Sequence, residues 1–252
     1  MEGNAIVPVS FDIFTTAHIR SYEICELLGQ SLLKFNLESN INLKCITDVG
    51  EISPIGWTKI GEVDGRIDNR NSAGIVIGMN SIESDYAIFC HSDTVMLYQG
   101  WDKAIIDLLE QYKMVGVPQF NGLCVKYPSF IFCCAKREDW TRMKISPYSR
   151  RNISSSIFQV ATEEECRILG VQNGSTIKWD GGWEVPFKLN KFGYNYYSFA
   201  ETISDLFFTD KRKATEWVYN NILFLAHFQA VRNHRRPTED WIKRVKSFLN
   251  NE

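Results

Sequence analysis

The chain has 252 residues, and its 44% hydrophobic and 13% aromatic content is enough to bury a full core, which excludes a disordered protein. A formal net charge of −2 argues neither for nor against a polyanionic partner, and the length suits one sizeable α/β domain with or without an appendage. The seven cysteines are odd in number, include no C-x-x-C spacing and fall mostly in apolar stretches, so they read as buried reduced thiols. No apolar run has the length of a membrane span and the amino terminus carries no basic-then-apolar signal, so the expectation is a cytoplasmic protein.

In chain order, Asn4 to Val9 reads as a first strand. Apolar spacing of three and four predicts a helix from about Ile19 to Phe35, and Leu43 to Thr47 a second strand, ending at Asp48-Val49-Gly50. Strand, helix, strand implies a parallel, right-handed crossover. Ile52 to Asn71 is polar and loop-like, with a short strand over Lys59 to Val63, and Ser72 to Ser81 reads as a helix with a glycine-containing start.

Tyr86 to Cys90 is a strand of apolar and aromatic residues that needs cover on both faces, as in a parallel or mixed sheet. It runs into His91-Ser92-Asp93, at the carboxyl edge where open α/β sheets bind their ligands. Alternation along an extended segment puts His91 and Asp93 on one side and Ser92 on the other. An imidazole and a carboxylate facing the same way suit a divalent ion, Mn²⁺ more naturally than Ca²⁺.

Asp102 to Tyr112 is an amphipathic helix, and Met114 to Pro118 and Phe130 to Ala135 are strands. A short helix follows Lys136 to Trp140, and residues 144–178 read as a polar, basic loop with one helix over Glu163 to Leu169. Phe199 to Phe208 is a strand or loop. Thr209-Asp210 reads as the cap of a helix over Lys211 to Leu225, His227 sits in an apolar setting, and Pro237 to Leu249 is a basic amphipathic helix.

The stretch Asn69 to Asp102 resembles the core of family 2-type glycosyltransferases with the GT-A fold. Asn71, Gly74 and Asn80 match the family's Asn/Gly-rich entry to a helix, and a buried strand then ends in a D-x-D-type motif, here His91-Ser92-Asp93. The resemblance implies a Rossmann-like α/β fold: a mixed, mostly parallel sheet flanked by helices, with a helical carboxyl-terminal extension. It divides the chain into a catalytic domain over 1–208, with a donor half (1–102) and an acceptor half (103–208), and an extension over 209–252.

By the same resemblance, Asp93 binds the metal, Mn²⁺ or Mg²⁺, and His91 stands where the family has its first Asp. The end of the first strand and the acid after the second, mapped onto Pro8, Val9, Ser10 and Asp48, hold the nucleotide together with Asn71, Gly74, His91, Ser92 and Asp93. A late His followed by Arg, here His227 and Arg232, completes the metal site.

The segment Trp179 to Tyr194 resembles the part of the family that carries the general base. Asp180 is favoured, because the Gly181-Gly182 pair beside it permits close substrate approach, with Glu184 in reserve. Trp179, Gly181, Gly182 and Trp183 frame the acceptor. The implied activity is inverting, metal-dependent transfer from a nucleotide sugar, UDP-sugar favoured, to a hydroxyl acceptor.

Two rivals accompany this reading. A nucleotidyltransferase lacks its Gly-rich, basic signature in SFDIFTTAHIR, whereas a non-catalytic nucleotide-sugar-binding protein fits the change at His91. The acceptor stays open. Basic clusters (Lys136, Arg137, Arg142, Lys144, Arg150, Arg151; Arg232, Arg235, Arg236, Lys243, Arg244, Lys246) would suit modified bases in DNA, and Trp57, Trp179, Trp183 and Tyr196 would stack on a sugar.

Overall fold

The computed structural model describes residues 8–64, 70–118, 126–145, 158–178, 182–202, 214–228 and 237–251. Trp179, Asp180, Gly181, Arg150, Arg151, Arg232, Arg235 and Arg236 lie outside the described residues, as does most of the Asn4 to Val9 segment.

The first strand, β1, is Ser10–Thr16, and Pro8 and Val9 precede it. The shift from the expected position has a physical cause. Asp12 is a charged residue inside the strand, yet it is wholly buried, accepting hydrogen bonds from the backbone N–H groups of Glu83 (2.7 Å) and Ser84 (3.0 Å) and facing Lys44 at 3.1 Å. With that polar group satisfied, SFDIFTT is a strand covered on both faces.

A 3-10 turn (Ile19–Ser21) and helix α1 (Tyr22–Lys34) cross over to β2 (Asn40–Asp48), which runs parallel to β1 with Ser10 opposite Asn40. β3 (Thr58–Val63) is parallel to β2, α2 (Arg70–Met79) returns along the sheet, and β4 (Tyr86–Cys90) lies parallel to β1 on its other side. β5 (Thr94–Met96) and α3 (Trp101–Gln111) follow, then β6 (Met114–Pro118) and β7 (Pro128–Lys136), which is antiparallel to both β4 and β6.

Beyond them come α4 (Arg137–Met143), β8 (Phe158–Val160), α5 (Glu163–Leu169), β9 (Thr176–Lys178) and α6 (Glu184–Phe192). The remaining elements are β10 (Tyr196–Ser198), β11 (Ala200–Glu201), β12 (Ala214–Tyr219), β13 (Ile222–Phe228) and α7 (Pro237–Asn251). Among the described residues the strands form a seven-stranded sheet in the order β10-β6-β7-β4-β1-β2-β3, a four-stranded sheet β11-β12-β13-β5, and the pair β8-β9.

Gly-Trp-Asp, which opens α3, is an anchor. Gly100 takes φ 77°, the left-handed region that glycine enters without strain. The Trp101 indole is fully buried and donates to the Leu32 carbonyl at 2.9 Å. The buried Asp102 carboxylate accepts from the N–H groups of Leu37, Glu38 and Ser39 and from Ser39 Oγ, at 2.9–3.1 Å, which ties α3 to the loop before β2.

The helix expected over Lys211 to Leu225 is instead a hairpin over its described residues, from Ala214 on. β12 and β13 pair antiparallel, and the Asn220-Asn221 turn takes φ 50° and 63°, the positive values that a tight hairpin demands. The run ILFLAHF is a strand buried toward its end, which periodicity alone does not separate from a buried helix. The final helix is present as α7 and packs Trp241 and Val245 against Val95, Ala226 and Phe228 of the smaller sheet.

Candidate metal centre at the carboxyl edge of the sheet

β1, β2 and β4 run parallel and end at one edge. The ladder between β4 and β7 extends one residue past the strand, where His91 N–H donates to the Ile131 carbonyl at 3.0 Å. The chain then turns: the Thr94 hydroxyl donates to the His91 carbonyl at 2.8 Å, and its N–H points at the same oxygen at 3.3 Å. His91 and Asp93 therefore meet through a turn and not through strand alternation, with Ser92 at its corner.

β5 leaves this turn to join the smaller sheet, where Thr94 lies opposite His227 on β13 and the Phe228 N–H donates to the Asp93 carbonyl at 2.8 Å. That register delivers the third ligand. His227 Nε2 stands 3.1 Å from Asp93 Oδ1, His91 Nδ1 stands 3.4 Å from His227 Nε2, and His91 Nδ1 lies 3.9 Å from Asp93 Oδ1. Among the described residues these three form a possible metal-binding cluster.

The donors fit an ion. Ligand atoms about 2.1 Å from a common metal lie about 3.0–3.4 Å apart at angles of roughly 90–110°. Two of the three separations fall in or at that range, and the third, His91 Nδ1 to Asp93 Oδ1, is longer at 3.9 Å. Burial pushes the Asp93 carboxyl up, but the charge and hydrogen bond of His227, with His91 behind it, outweigh this and hold it below 3.8. The carboxylate is thus kept ionised by positive charge on the imidazoles, which a bound ion would replace. His227 is 7% exposed, and its Nδ1 is buried without a hydrogen-bond partner.

Asp48 ends β2 on the same edge, with His18 Nε2 3.4 Å from its Oδ2. His18 Nδ1 accepts the Arg20 N–H at 3.1 Å, so Nε2 carries the proton that faces Asp48. His18 was not picked out from the sequence; its signal is a His-x-x-Ser capping box immediately after the strand.

β1 runs over Ser10–Thr16, so the residues mapped onto the nucleotide fall at its start. Pro8, Val9 and Ser10 lie at the amino end of the strand, where the Ser10 N–H and hydroxyl donate to Asp85 Oδ2 at 3.0 and 2.9 Å. The carboxyl end is Thr15, Thr16, Ala17 and His18.

Gly74 packs on Thr16 and Gly78 on Phe14, so α2 runs against β1 and its first turn, with Asn71, starts at this edge. Gly74 is there for a close approach: a Cβ at that position would stand 2.4 Å from Thr16 Oγ1.

On the far side, Gly182 (φ 80°) presses on Phe130, whose ring a Cβ would meet at 2.7 Å. Phe130 precedes Phe132, the partner of Cys90, and so stands beyond the end of β4. Trp179, Asp180 and Gly181 themselves lie outside the described residues. Glu184 opens α6 with Lys188 Nζ 3.8 Å away.

Trp183 packs 5.7 Å from the Phe187 ring, against the cluster of Cys166, Leu169 and Ile177. Trp57 is 5% exposed and bonded to the Cys25 carbonyl at 2.9 Å, so it is a core residue and not a sugar platform. Glu201 is a carboxylate that sequence reading missed. Its Oε2 is buried without a hydrogen-bond partner among the described residues, and burial pushes its carboxyl up from 4.5.

Several of the basic residues have structural partners. Arg137 donates to the Glu83 carbonyl at 2.7 Å, Arg142 stacks on Phe192 and Tyr194, and Lys246 pairs with Glu23 at 2.6 Å. Among the described residues no helix is long and apolar enough to cross a membrane.

No family model matches the sequence, and no curated protein does. Among solved structures, the galactosyltransferase LgtC, in complex with donor and acceptor sugar analogues, is similar with a TM-score of 0.50 at 12% identity, covering 95% of each chain. A mannosyltransferase from Pyrobaculum calidifontis, in complex with GDP-Man and Mn²⁺, gives 0.45 at 8% identity over 77% of this chain and 55% of its own. The apo-form glycosyltransferase GlyE of Streptococcus pneumoniae TIGR4 gives 0.42 at 11% identity over 75% and 45%. The chain thus spans about half the length of these last two. The likeness to the first, over nearly the whole of both chains, together with the mixed, mostly parallel sheet, shows a GT-A fold.

Proposed function

We propose that the protein is a divalent-metal-dependent glycosyltransferase that moves a sugar from a nucleotide sugar, UDP-sugar favoured, to a hydroxyl acceptor. One observation carries the reading: His91, Asp93 and His227 converge at the carboxyl edge of a GT-A sheet, beside the ends of β1 and β2. A divalent ion held there supplies Lewis-acid neutralisation of the charge that develops on the departing diphosphate.

The chain's own residues do the rest. Asp48, oriented by His18, offers carboxylate oxygens to ribose hydroxyls or a base N–H, and the first turn of α2, with Asn71 and Gly74, faces the diphosphate. Ser92 lies at the turn between the two ligands. A carboxylate on the Gly182 side, Asp180 or Glu184, takes the proton of the acceptor hydroxyl. The acceptor oxygen then bonds to the anomeric carbon as the bond to the phosphate oxygen breaks, and direct displacement inverts that carbon. Residues 1–102 hold the donor and 103–208 the acceptor, while the segment after 208 supplies His227 and so belongs to the site.

The test is a thermal-shift series with UDP, GDP, CMP, ADP and dTDP and their sugars, each with Mn²⁺, Mg²⁺ or chelator. A ligand at a hundred times its dissociation constant stabilises by about 2.7 kcal/mol. Stabilisation by one nucleotide series in the presence of metal is the expected result. No shift with any of them contradicts the reading, and binding without turnover of the matching nucleotide sugar marks a non-catalytic binding protein instead.

A further inference from the structure

Glu201 has no task in the reaction described above, yet the two sheets deliver it to the same edge. β7 is antiparallel to both β4 and β6, and β10 is parallel to β6, so β10 also ends at the carboxyl edge. The Phe199 N–H prolongs that ladder by donating to the Gly116 carbonyl at 2.9 Å, and the chain passes directly into β11. There Glu201 lies opposite Trp217 on β12, and the Thr202 N–H donates to the Glu216 carbonyl at 3.0 Å.

Opposed residues of an antiparallel ladder project to one face, as do residues two apart on a strand. Glu201 opposes Trp217, and Thr215, two residues before Trp217, opposes His227, so Glu201 and His227 share a face. That face turns to the large sheet. Trp217 and Leu225 belong to the same apolar cluster as Phe11, Trp101 and Phe132, whereas Ala226 and Phe228 pack with Trp241 of α7.

The Trp217 ring stands 6.4 Å from that of His227. Two strand spacings and two residues of rise set the backbones of Glu201 and His227 about 10–12 Å apart. Side chains that project side by side at that separation do not bond directly, but both can contact one molecule.

The order of the large sheet gives the direction. Asp48 and α2 lie toward β1, β2 and β3, the candidate metal ligands follow β4, and β10 is the strand at the opposite end. A nucleotide at the first place and its diphosphate at the second put the sugar toward the third, where Glu201 stands. Its Oε2 is buried with no hydrogen-bond partner among the described residues. A buried acceptor left unpaired costs free energy, which a ligand hydroxyl would offset.

We propose that Glu201 is a specificity-determining residue whose carboxyl group accepts a hydrogen bond from a carbohydrate hydroxyl, on the side of the site away from the nucleotide. The hydroxyl belongs either to the transferred sugar or to a sugar acceptor. The inference rests on the glycosyltransferase reading and adds a residue from outside both the turn at Asp93 and the Gly182 segment.

The experiment compares the full-length wild-type protein with Glu201→Leu and Glu201→Gln in the presence of Mn²⁺. Calorimetry gives affinities for UDP, UDP-glucose, UDP-galactose, GDP and GDP-mannose. Release of nucleoside diphosphate is followed with water, glucose, galactose or lactose as acceptor. Glu201→Leu loses a hydrogen bond to a charged group, so recognition should fall by about 10- to 100-fold. If the transferred sugar supplies the hydroxyl, the affinity of the nucleotide sugar falls while that of the bare diphosphate holds. If the acceptor supplies it, donor affinity holds and the acceptor KM rises. Glu201→Gln, which keeps a carbonyl acceptor, should lose less in either arm. The Tm of Glu201→Leu should be unchanged or higher, because no buried hydrogen bond is removed.

Unchanged donor affinity and acceptor KM in Glu201→Leu overturn the proposal and leave the glycosyltransferase reading standing. A Tm lowered by more than about 5 °C, or an affinity for bare diphosphate that falls in step, assigns Glu201 to the fold and also overturns it. Wild-type protein that binds and turns over none of these donors removes the glycosyltransferase reading, and this proposal with it.

Discussion

The Nδ1 of His91 stands 3.4 Å from the Nε2 of His227, 136 residues further along the chain. The two rings are brought together by a change of sheet. β4 ends in the large sheet at Cys90, the chain turns through Ser92 and Asp93, and β5 enters the small sheet beside β13. The hairpin of β12 and β13 is therefore part of the site's construction, and the site sits where the two sheets meet.

Asp48 and His18 should serve the nucleotide and not the metal. Asp48→Asn removes a charged acceptor, worth about 1.5–3 kcal/mol, so nucleotide affinity should fall by roughly 10- to 100-fold. His18→Gln, which loses the ring N–H that faces Asp48, should lower it less. Mn²⁺ affinity measured without nucleotide should stay unchanged in both. A metal affinity that falls in step with nucleotide affinity would contradict the division of roles.

Two carboxylates compete for the acceptor's proton. Removing the true base should lower turnover by about 10²- to 10⁴-fold while donor affinity holds. Asp180→Asn is expected to show that pattern. Glu184→Gln, at the start of α6 with Lys188 Nζ 3.8 Å away, should keep most of its activity. Steady-state kinetics alongside nucleotide-sugar binding separates them, and the opposite result moves the role to Glu184.

Gly74→Ala should force α2 away from the end of β1, because the new Cβ would stand 2.4 Å from Thr16 Oγ1. Overpacking of this kind costs about 1–3 kcal/mol. Thr16→Ala removes the obstructing atom, so the double variant should recover most of the loss. Additive losses in the double-mutant cycle would mean that the contact is not the cause.

The buried pair of Asp12 and Lys44, at 3.1 Å, makes a pH-dependent contribution to stability. Burial alone would push the Asp12 carboxyl up, but the N–H groups of Glu83 and Ser84, the Ser84 hydroxyl and Lys44 hold it below 3.8. The native state thus releases this proton more readily than the unfolded chain. Its stabilisation is complete above the unfolded value of 3.8 and is lost as pH falls through the lower native value. Asp12→Asn should cost about 3 kcal/mol at neutral pH by leaving Lys44 without its buried partner. That corresponds to a Tm lower by roughly 6–12 °C, and the difference from wild type should shrink in acid below the native value.

Much of the architecture was legible because its signals are local. Tyr86 to Cys90, Met114 to Pro118 and Glu163 to Leu169 fall where their apolar runs and caps put them. What misled was polar residues with distant partners and apolar runs of uncertain period. The buried Asp12 within β1 takes its hydrogen-bond donors from the segment before β4, which no local pattern announces. ILFLAHF read as helix because every residue is apolar or aromatic-like, and the Asn220-Asn221 pair, a hairpin signal, went unused.

The candidate ligands were legible as residues, whereas the reason they meet was not. The turn at Ser92 and the register that sets Thr94 opposite His227 are properties of the two sheets and not of any short stretch. Nothing local marks Glu201, whose environment is made by burial alone.

The most direct test of the central claim is release of nucleoside diphosphate from a panel of nucleotide sugars, with Mn²⁺ present and with simple sugars or water as acceptor. The account predicts metal-dependent release from one donor class by the wild-type protein, and its loss in Asp93→Ala with circular dichroism unchanged. Release that persists at full rate in Asp93→Ala, or that is indifferent to chelator, would contradict it.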